Sequence, residues 1–318
     1  MGCRVRRVVL QGASSLVRWA ALAALAAGGQ AVAETHFLVV EGLGGTHAYA
    51  ERFRGQVTEM LPALRRMAGR DELVRVLAGV EATAERIEAE FGSLAGSVAP
   101  GDALGVLLVG HGSYDGKVYK LNIPGPDITD RQLKVWLDAV PAARQLIVST
   151  TSSSGGALET LKSPRRVVIT ATKSGRERTA TVFGEFWAKA FADAAADTDK
   201  NEAISALEAF RYAESKVASH FKDSQRLATE HPQLEGERPE SFLLARLGSA
   251  ARLAEDPAKR SLLLQREELE RKIADLTVRK EDIPQDEYLE SLQSLLLELA
   301  ELQQRIDSEV AAPEGGEP

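Results

Sequence analysis

Five short apolar runs set the frame of this chain: Phe37–Val40, Leu73–Leu77, Leu104–Val109, Leu146–Val148 and Val167–Thr170. Each is closed off by Gly, Pro, Asp or Ser, and unbroken apolar runs of this length suit strands buried on both faces. Between them the spacing predicts helices near Ala48–Arg66, Thr83–Leu94 and Thr129–Ala139, the last opening on Thr129 as N-cap with Asp130 and Gln132 close behind. Strands alternating with helices imply βαβ units, so the expected fold class is α/β with a mostly parallel sheet flanked by helices. In such sheets chemistry gathers at the carboxyl ends of the strands.

Two of those ends are rich in reactive residues. The third run leads into Gly110-His111-Gly112-Ser113-Tyr114-Asp115-Gly116 and the fourth into Thr150-Thr151-Ser152-Ser153-Ser154-Gly155-Gly156. Glycines around His111 leave backbone N–H groups open, and a polar run ending in Gly-Gly suits a tight turn with amides pointing one way. A histidine at one strand end and a hydroxyl at its neighbour is the minimum for nucleophilic catalysis. The same segments also serve as ordinary turns.

The segments LLVGHG and QLIVSTTSSSGGAL lie about forty residues apart, one strand ending in His-Gly and the next in x-Ser-x-Ser-Gly. This arrangement resembles the caspase and legumain clan of cysteine peptidases, where the second strand ends in x-Cys-x-Ser-Gly. HFLVVEGLGG at 36–45, Tyr49-Ala50-Glu51-Arg52-Phe53 and ITATKSGRERTATVFGEFW at 169–187 resemble its bacterial legumain-like branch, so the likeness spans about residues 36 to 245. It implies a caspase-like sheet, His111 as general acid/base, the amide of Gly112 in an oxyanion hole and Ser152 where the cysteine nucleophile belongs. It also places Arg176 and Arg178 where the clan builds its substrate pocket.

Oxygen in place of sulfur changes the chemistry. A free thiol has a pKa of roughly 8.5 and is partly ionised near neutrality. A serine hydroxyl has no such population and needs a base in direct contact, itself oriented by a third group. Asp115, four residues past His111, is the candidate orienting group. The leading expectation is a pseudopeptidase acting as a binding or scaffold protein for a protein or peptide. The alternative is a peptidase or esterase using Ser152 with His111.

A second constellation lies at DTDKNEAISALE, residues 197–208. Asp197, Asp199, Asn201, the carbonyl of Ala203, Ser205 and Glu208 fall at positions one, three, five, seven, nine and twelve of an EF-hand-like calcium loop, with Ile204 apolar at eight. Helices are expected on both sides, over Thr181–Ala195 and Ile204–Ser219. Position six, ordinarily a glycine with φ > 0, is Glu202. These residues support a structural Ca2+ and, as a third reading, a calcium-dependent interaction protein; a polar loop capping the next helix is the plain alternative.

Leu262, Leu269, Ile273 and Leu276 form one stripe before Ile283-Pro284, and Leu292, Leu295, Leu299, Leu302 and Ile306 another after it. Residues 257–308 are therefore expected to form a coiled-coil helical hairpin, which either packs on the sheet domain or drives self-association. The remaining domains are expected at 1–33, a signal peptide, 34–248, the α/β domain, and 309–318, a disordered tail, with a long surface loop at 223–241. Arg4, Arg6 and Arg7, the apolar stretch Val17–Ala27 and the small-x-small triplet Ala31-Val32-Ala33 carry the export signal. The mature chain would begin near Glu34 and be periplasmic or secreted, without Cys3, the sole thiol. A formal charge of −7 argues against nucleic acid, and no later apolar run is long enough to cross a membrane. Neither His36 with His47 nor His220 with His231 has zinc-ligand spacing.

Overall fold

The computed structural model describes residues 33–311; the expected signal peptide and most of the expected tail lie outside the described residues. In chain order the elements begin with β1 (Thr35–Glu41), α1 (His47–Ala68), β2 (Val74–Leu77), α2 (Ala84–Ser97) and β3 (Ala103–Val109). A small excursion follows through β4 (Gly112–Tyr114), β5 (Tyr119–Leu121) and β6 (Ile128–Thr129), then α3 (Asp130–Ala139), β7 (Arg144–Ser149), α4 (Leu158–Leu161) and β8 (Arg166–Thr170). The second half holds α5 (Phe183–Ala190), β9 (Ala203–Ser205), α6 (Ala206–Asp223), β10 (Gln233–Glu235), β11 (Leu243–Arg246) and α7 (Gly248–Leu253), and closes with α8 (Pro257–Val278) and α9 (Gln285–Ala311).

The five apolar runs are the five parallel strands of a six-stranded sheet ordered β10-β8-β7-β3-β1-β2, with β10 antiparallel at the edge. Alternation along each strand divides the core in two. Phe37, Val39, Leu107 and Val109 face α1, α5 and α6, whereas Leu38, Val40, Leu104, Val106 and Leu108 face α2 and α3. Because both faces are covered, the strands read as continuous apolar runs rather than alternating ones. Thr129 caps α3 in a full capping box with Gln132.

Four local expectations are corrected. The helix expected over Thr181–Ala195 is shorter, Phe183–Ala190. The helix expected from Ile204 starts at Ala206, because Ala203–Ser205 forms β9 against β11 and Ser205 is the N-cap, boxed with Glu208. The surface loop expected at 223–241 contains β10, paired with β8. The helix after Pro284 runs on to Ala311, past the expected end of the hairpin.

α8 and α9 pack on one another and on α7 through Leu253, Leu262, Leu263, Leu269, Leu302 and Ile306. The hairpin is tied to the rest of the fold by polar anchors. The buried Arg246 guanidinium bonds Glu267 Oε1 through Nε and Nη2 at 3.0 and 2.6 Å, Arg260 Nη1 donates to the Gly69 carbonyl at 2.9 Å, and Arg266 Nη2 donates to the Asn201 carbonyl at 3.1 Å. No helix among the described residues is long and apolar enough to cross a membrane.

Candidate functional site

Parallel pairing of β3 and β7 runs in register up to Leu108 opposite Ser149, and the Thr150 amide extends it by donating to the Leu108 carbonyl at 3.0 Å. The two reactive loops therefore leave the sheet side by side. Ser152, 4 % exposed, donates from Oγ to the Gly112 carbonyl at 2.9 Å, and the Gly112 amide reaches Ser152 Oγ at 3.3 Å. A Cβ on residue 112 would stand 2.6 Å from the Ser152 carbonyl oxygen and 2.6 Å from the Tyr119 ring, so the approach of the loops requires glycine.

His111 is held differently. Its ring stands edge-on to Tyr49 and Phe53 of α1, with centroids 4.7 and 5.0 Å away. Burial holds its pKa below the ordinary 6.5, a backbone hydrogen bond at Gly44 opposes this, and the nearby Arg52 adds to the lowering, so the imidazole is neutral at pH 7. Among the described residues no hydrogen bond joins His111 to Ser152. Asp115 does not orient it either. Its Oδ1 accepts from the Lys117 and Val118 amides, both at 2.9 Å, and these bonds hold its carboxyl below the usual range.

Beyond Ser152 the turn is tightly determined. Ser153 has φ +58°, its hydroxyl is buried without a partner, and its amide donates to the Glu177 carbonyl at 2.8 Å. A left-handed non-glycine residue costs about 1–2 kcal/mol, and such strain concentrates where surrounding structure fixes it. Ser154 Oγ and Thr172 Oγ1 lie 3.2 Å apart, while Tyr119, Ser149 and Thr151 share a buried hydroxyl cluster with Tyr119–Thr151 at 2.6 Å. Desolvation pushes the Tyr119 phenol up to about 12, so it stays protonated.

Four further ionisable residues gather at this end of the sheet. Arg52 Nη2 donates to the Thr181 carbonyl at 2.6 Å, and Thr181 Oγ1 to the Thr150 carbonyl at 2.5 Å. Glu230, 2 % exposed, accepts from the amides of Val182 and Phe183 at the start of α5; burial pushes its carboxyl up to about 7 against those two bonds. Glu177 takes His231 Nδ1 at 2.5 Å and the His231 amide at 3.2 Å. Arg52 and Glu177 lie inside the Tyr49–Phe53 and 169–187 segments already singled out, but Glu230 and His231 have no sequence signal as members of this group, being single polar residues in a loop. Arg178 Nη2 reaches the Tyr114 carbonyl at 3.4 Å, and the Arg176 amide donates to Ser174 Oγ.

The 197–208 segment forms a turn that leads into β9 and α6. Carboxylate oxygens of Asp197, Asp199 and Glu208 lie within 4.8 Å of one another. Asp197 accepts from the amides of Asn201 and Glu202, and Asn201 Oδ1 from the Ala203 amide at 2.7 Å. Glu202 adopts φ +60°, the conformation expected of a glycine at position six; its carboxylate accepts from the Ala250 amide at 2.8 Å at the start of α7. Glu208 accepts from Ser205 through one oxygen and from Thr198 through the other, and Ser205 is committed to the cap. Burial first, then the Glu208 and Asp197 charges, raise the Asp199 pKa.

No family model matches the chain, and no curated protein matches it. Among solved structures it is similar to protein GSU0716 from Geobacter sulfurreducens, at 12% identity and a TM-score of 0.43, with 67% of this chain and 97% of that one covered.

Proposed function

We propose that this chain is an exported, caspase/legumain-like pseudopeptidase: a binding or scaffold protein whose strand-end cleft keeps the frame of a hydrolase site without its nucleophile chemistry. The supporting observation is the state of Ser152. Its hydroxyl proton is committed to the Gly112 carbonyl at 2.9 Å, and the imidazole that would take that proton is packed on the aromatic edges of α1. An alcohol nucleophile needs the base in direct contact. The Gly112 amide, the counterpart of an oxyanion donor, is spent on the same hydroxyl. The partner in this reading is a protein or peptide, met by Arg52, Arg176, Arg178, Glu177 and His231 around the cleft. The hairpin adds a second surface, with Leu289, Leu296 and Leu297 about half exposed on α9, which suits self-association.

The test is turnover of a peptide-ester panel by the wild type, Ser152→Ala and His111→Ala. The reading expects all three at background. Turnover by the wild type that both substitutions abolish, with folding intact, would establish the Ser152–His111 hydrolase in its place.

A calcium-dependent role is favoured by one specific observation, the convergence of Asp197, Asp199 and Glu208. The donor set fits a hard cation: carboxylate oxygens, the Asn201 amide oxygen and the Ala203 carbonyl are the ligand types calcium takes. Ser205 would reach the ion only through water, since its hydroxyl caps α6. Bound there, calcium would stiffen the turn between α5 and α6.

A further inference from the structure

At the opposite end of the sheet from Ser152, β1 and β3 start side by side, with Thr35 opposite Ala103 and His36 opposite Leu104. Asp102 stands just ahead of β3, 7 % exposed, and its carboxylate is fixed by the Glu34 amide on Oδ1 at 2.9 Å and the Ala99 amide on Oδ2 at 2.8 Å. His36 is 4 % exposed, and neither of its ring nitrogens has a hydrogen-bond partner. Its Nε2 points at this carboxylate, 3.4 Å from Asp102 Oδ2 but without the alignment of a hydrogen bond. Among the described residues no Lys or Arg lies within ion-pair distance of Asp102. A buried carboxylate lacking a strong cation thus faces a buried imidazole with empty nitrogens, and one species satisfies both.

We propose that Glu34, His36 and Asp102 form a binding site for a divalent transition-metal ion of the zinc class. One donor atom from each residue lies within 4.8 Å of the other two, and bonds of about 2.0–2.2 Å to imidazole nitrogen and carboxylate oxygen draw such a set together with small side-chain rotations. The imidazole selects the metal, because calcium and magnesium take oxygen ligands whereas zinc and its neighbours take nitrogen with oxygen. The two amides on Asp102 are the orienting bonds that metal-ligating carboxylates carry. Arg70 Nη2 holds both Glu34 oxygens at 2.5 Å, and a carboxylate's remaining lone pairs can serve a second cation. The three ligands come from two strand starts separated by 68 positions in sequence, which is why histidine spacing alone does not reveal the site. This site is independent of the acidic 197–208 turn.

The experiment titrates the purified, chelator-treated full chain with Zn2+ by calorimetry and with Co2+ by visible absorption, whose d–d bands report nitrogen and oxygen ligation. The expected result is one Zn2+ per chain, a melting temperature that rises with zinc concentration by mass action, and Co2+ bands that zinc displaces. His36→Ala and Asp102→Asn are expected to abolish all three. Glu34→Gln, at the exposed edge and safe for folding, lowers zinc affinity by at least the tenfold that loss of an outer-sphere partner costs. Asp199→Asn leaves zinc binding unchanged. Absence of stoichiometric binding in the wild type, or binding that survives unchanged in Glu34→Gln and in a folded His36→Ala protein, overturns the proposal.

Discussion

The Ser152 side chain and the Gly112 backbone are bonded in both directions: Oγ donates to the Gly112 carbonyl at 2.9 Å, and the Gly112 amide reaches the same oxygen at 3.3 Å. A hydroxyl so engaged joins the loop after β3 to the loop after β7. Ser152→Ala would leave a part-buried carbonyl and amide without that partner, at a cost of about 1 kcal/mol. Chemical denaturation should show a lower midpoint at an unchanged m-value. A stability equal to the wild type would mean the hydroxyl is not a structural bridge.

Glu230 makes stability depend on pH. Its carboxyl rises from the ordinary 4.5 to about 7 in the fold, so between these values the folded chain binds a proton that the unfolded chain has released. Stability is therefore full below about pH 4.5, falls as pH rises towards 7 and levels off above it, by about 3 kcal/mol at 1.36 kcal/mol per pKa unit. Glu230→Gln keeps an oxygen for the Val182 amide and carries no charge. Its melting temperature is expected to lose this contribution to the fall between pH 5 and pH 8, measured by calorimetry against the wild type.

The acidic turn gives a prediction of two parts. Without metal, Asp199→Asn removes a like charge beside Asp197 and Glu208 and is expected to melt no lower than the wild type. With calcium the wild type gains melting temperature and Asp199→Asn does not. Glu208→Ala also loses the gain, and melts lower even in chelator, because it removes the capping box with Ser205, worth about 1 kcal/mol.

The hairpin's anchor is open to a single substitution. The Arg246 side chain is fully buried and Glu267 is its carboxylate. Glu267→Ala leaves a buried guanidinium unpaired, for which the expected loss is about 3–5 kcal/mol by urea unfolding. Hydrogen exchange should rise first in α8.

The parallel strands were legible because burial on both faces writes itself as apolar runs such as Leu104–Val109. β4, β5 and β10 were not, since strands of three residues are made by pairing with distant partners and leave no period to read. Ile204 and Ser205 of β9 read as the first turn of the following helix, because Ile204 continues its apolar stripe; the Ser205-x-x-Glu208 capping box is the signal that places the helix start correctly. The proximity of His111 and Ser152 loops followed from the strand-end rule. Which atom takes the serine proton did not, because it depends on aromatic packing from α1, and the burial of Glu230 depends on a loop that has no pattern.

The most direct measurement of the central claim is labelling of the purified protein by a reactive fluorophosphonate between pH 6 and pH 9, beside Ser152→Ala. A serine bonded to the Gly112 carbonyl and not hydrogen-bonded to His111 predicts no labelling above that of the alanine variant at any pH. Stoichiometric labelling that disappears in Ser152→Ala would contradict the account and identify Ser152 as an activated nucleophile.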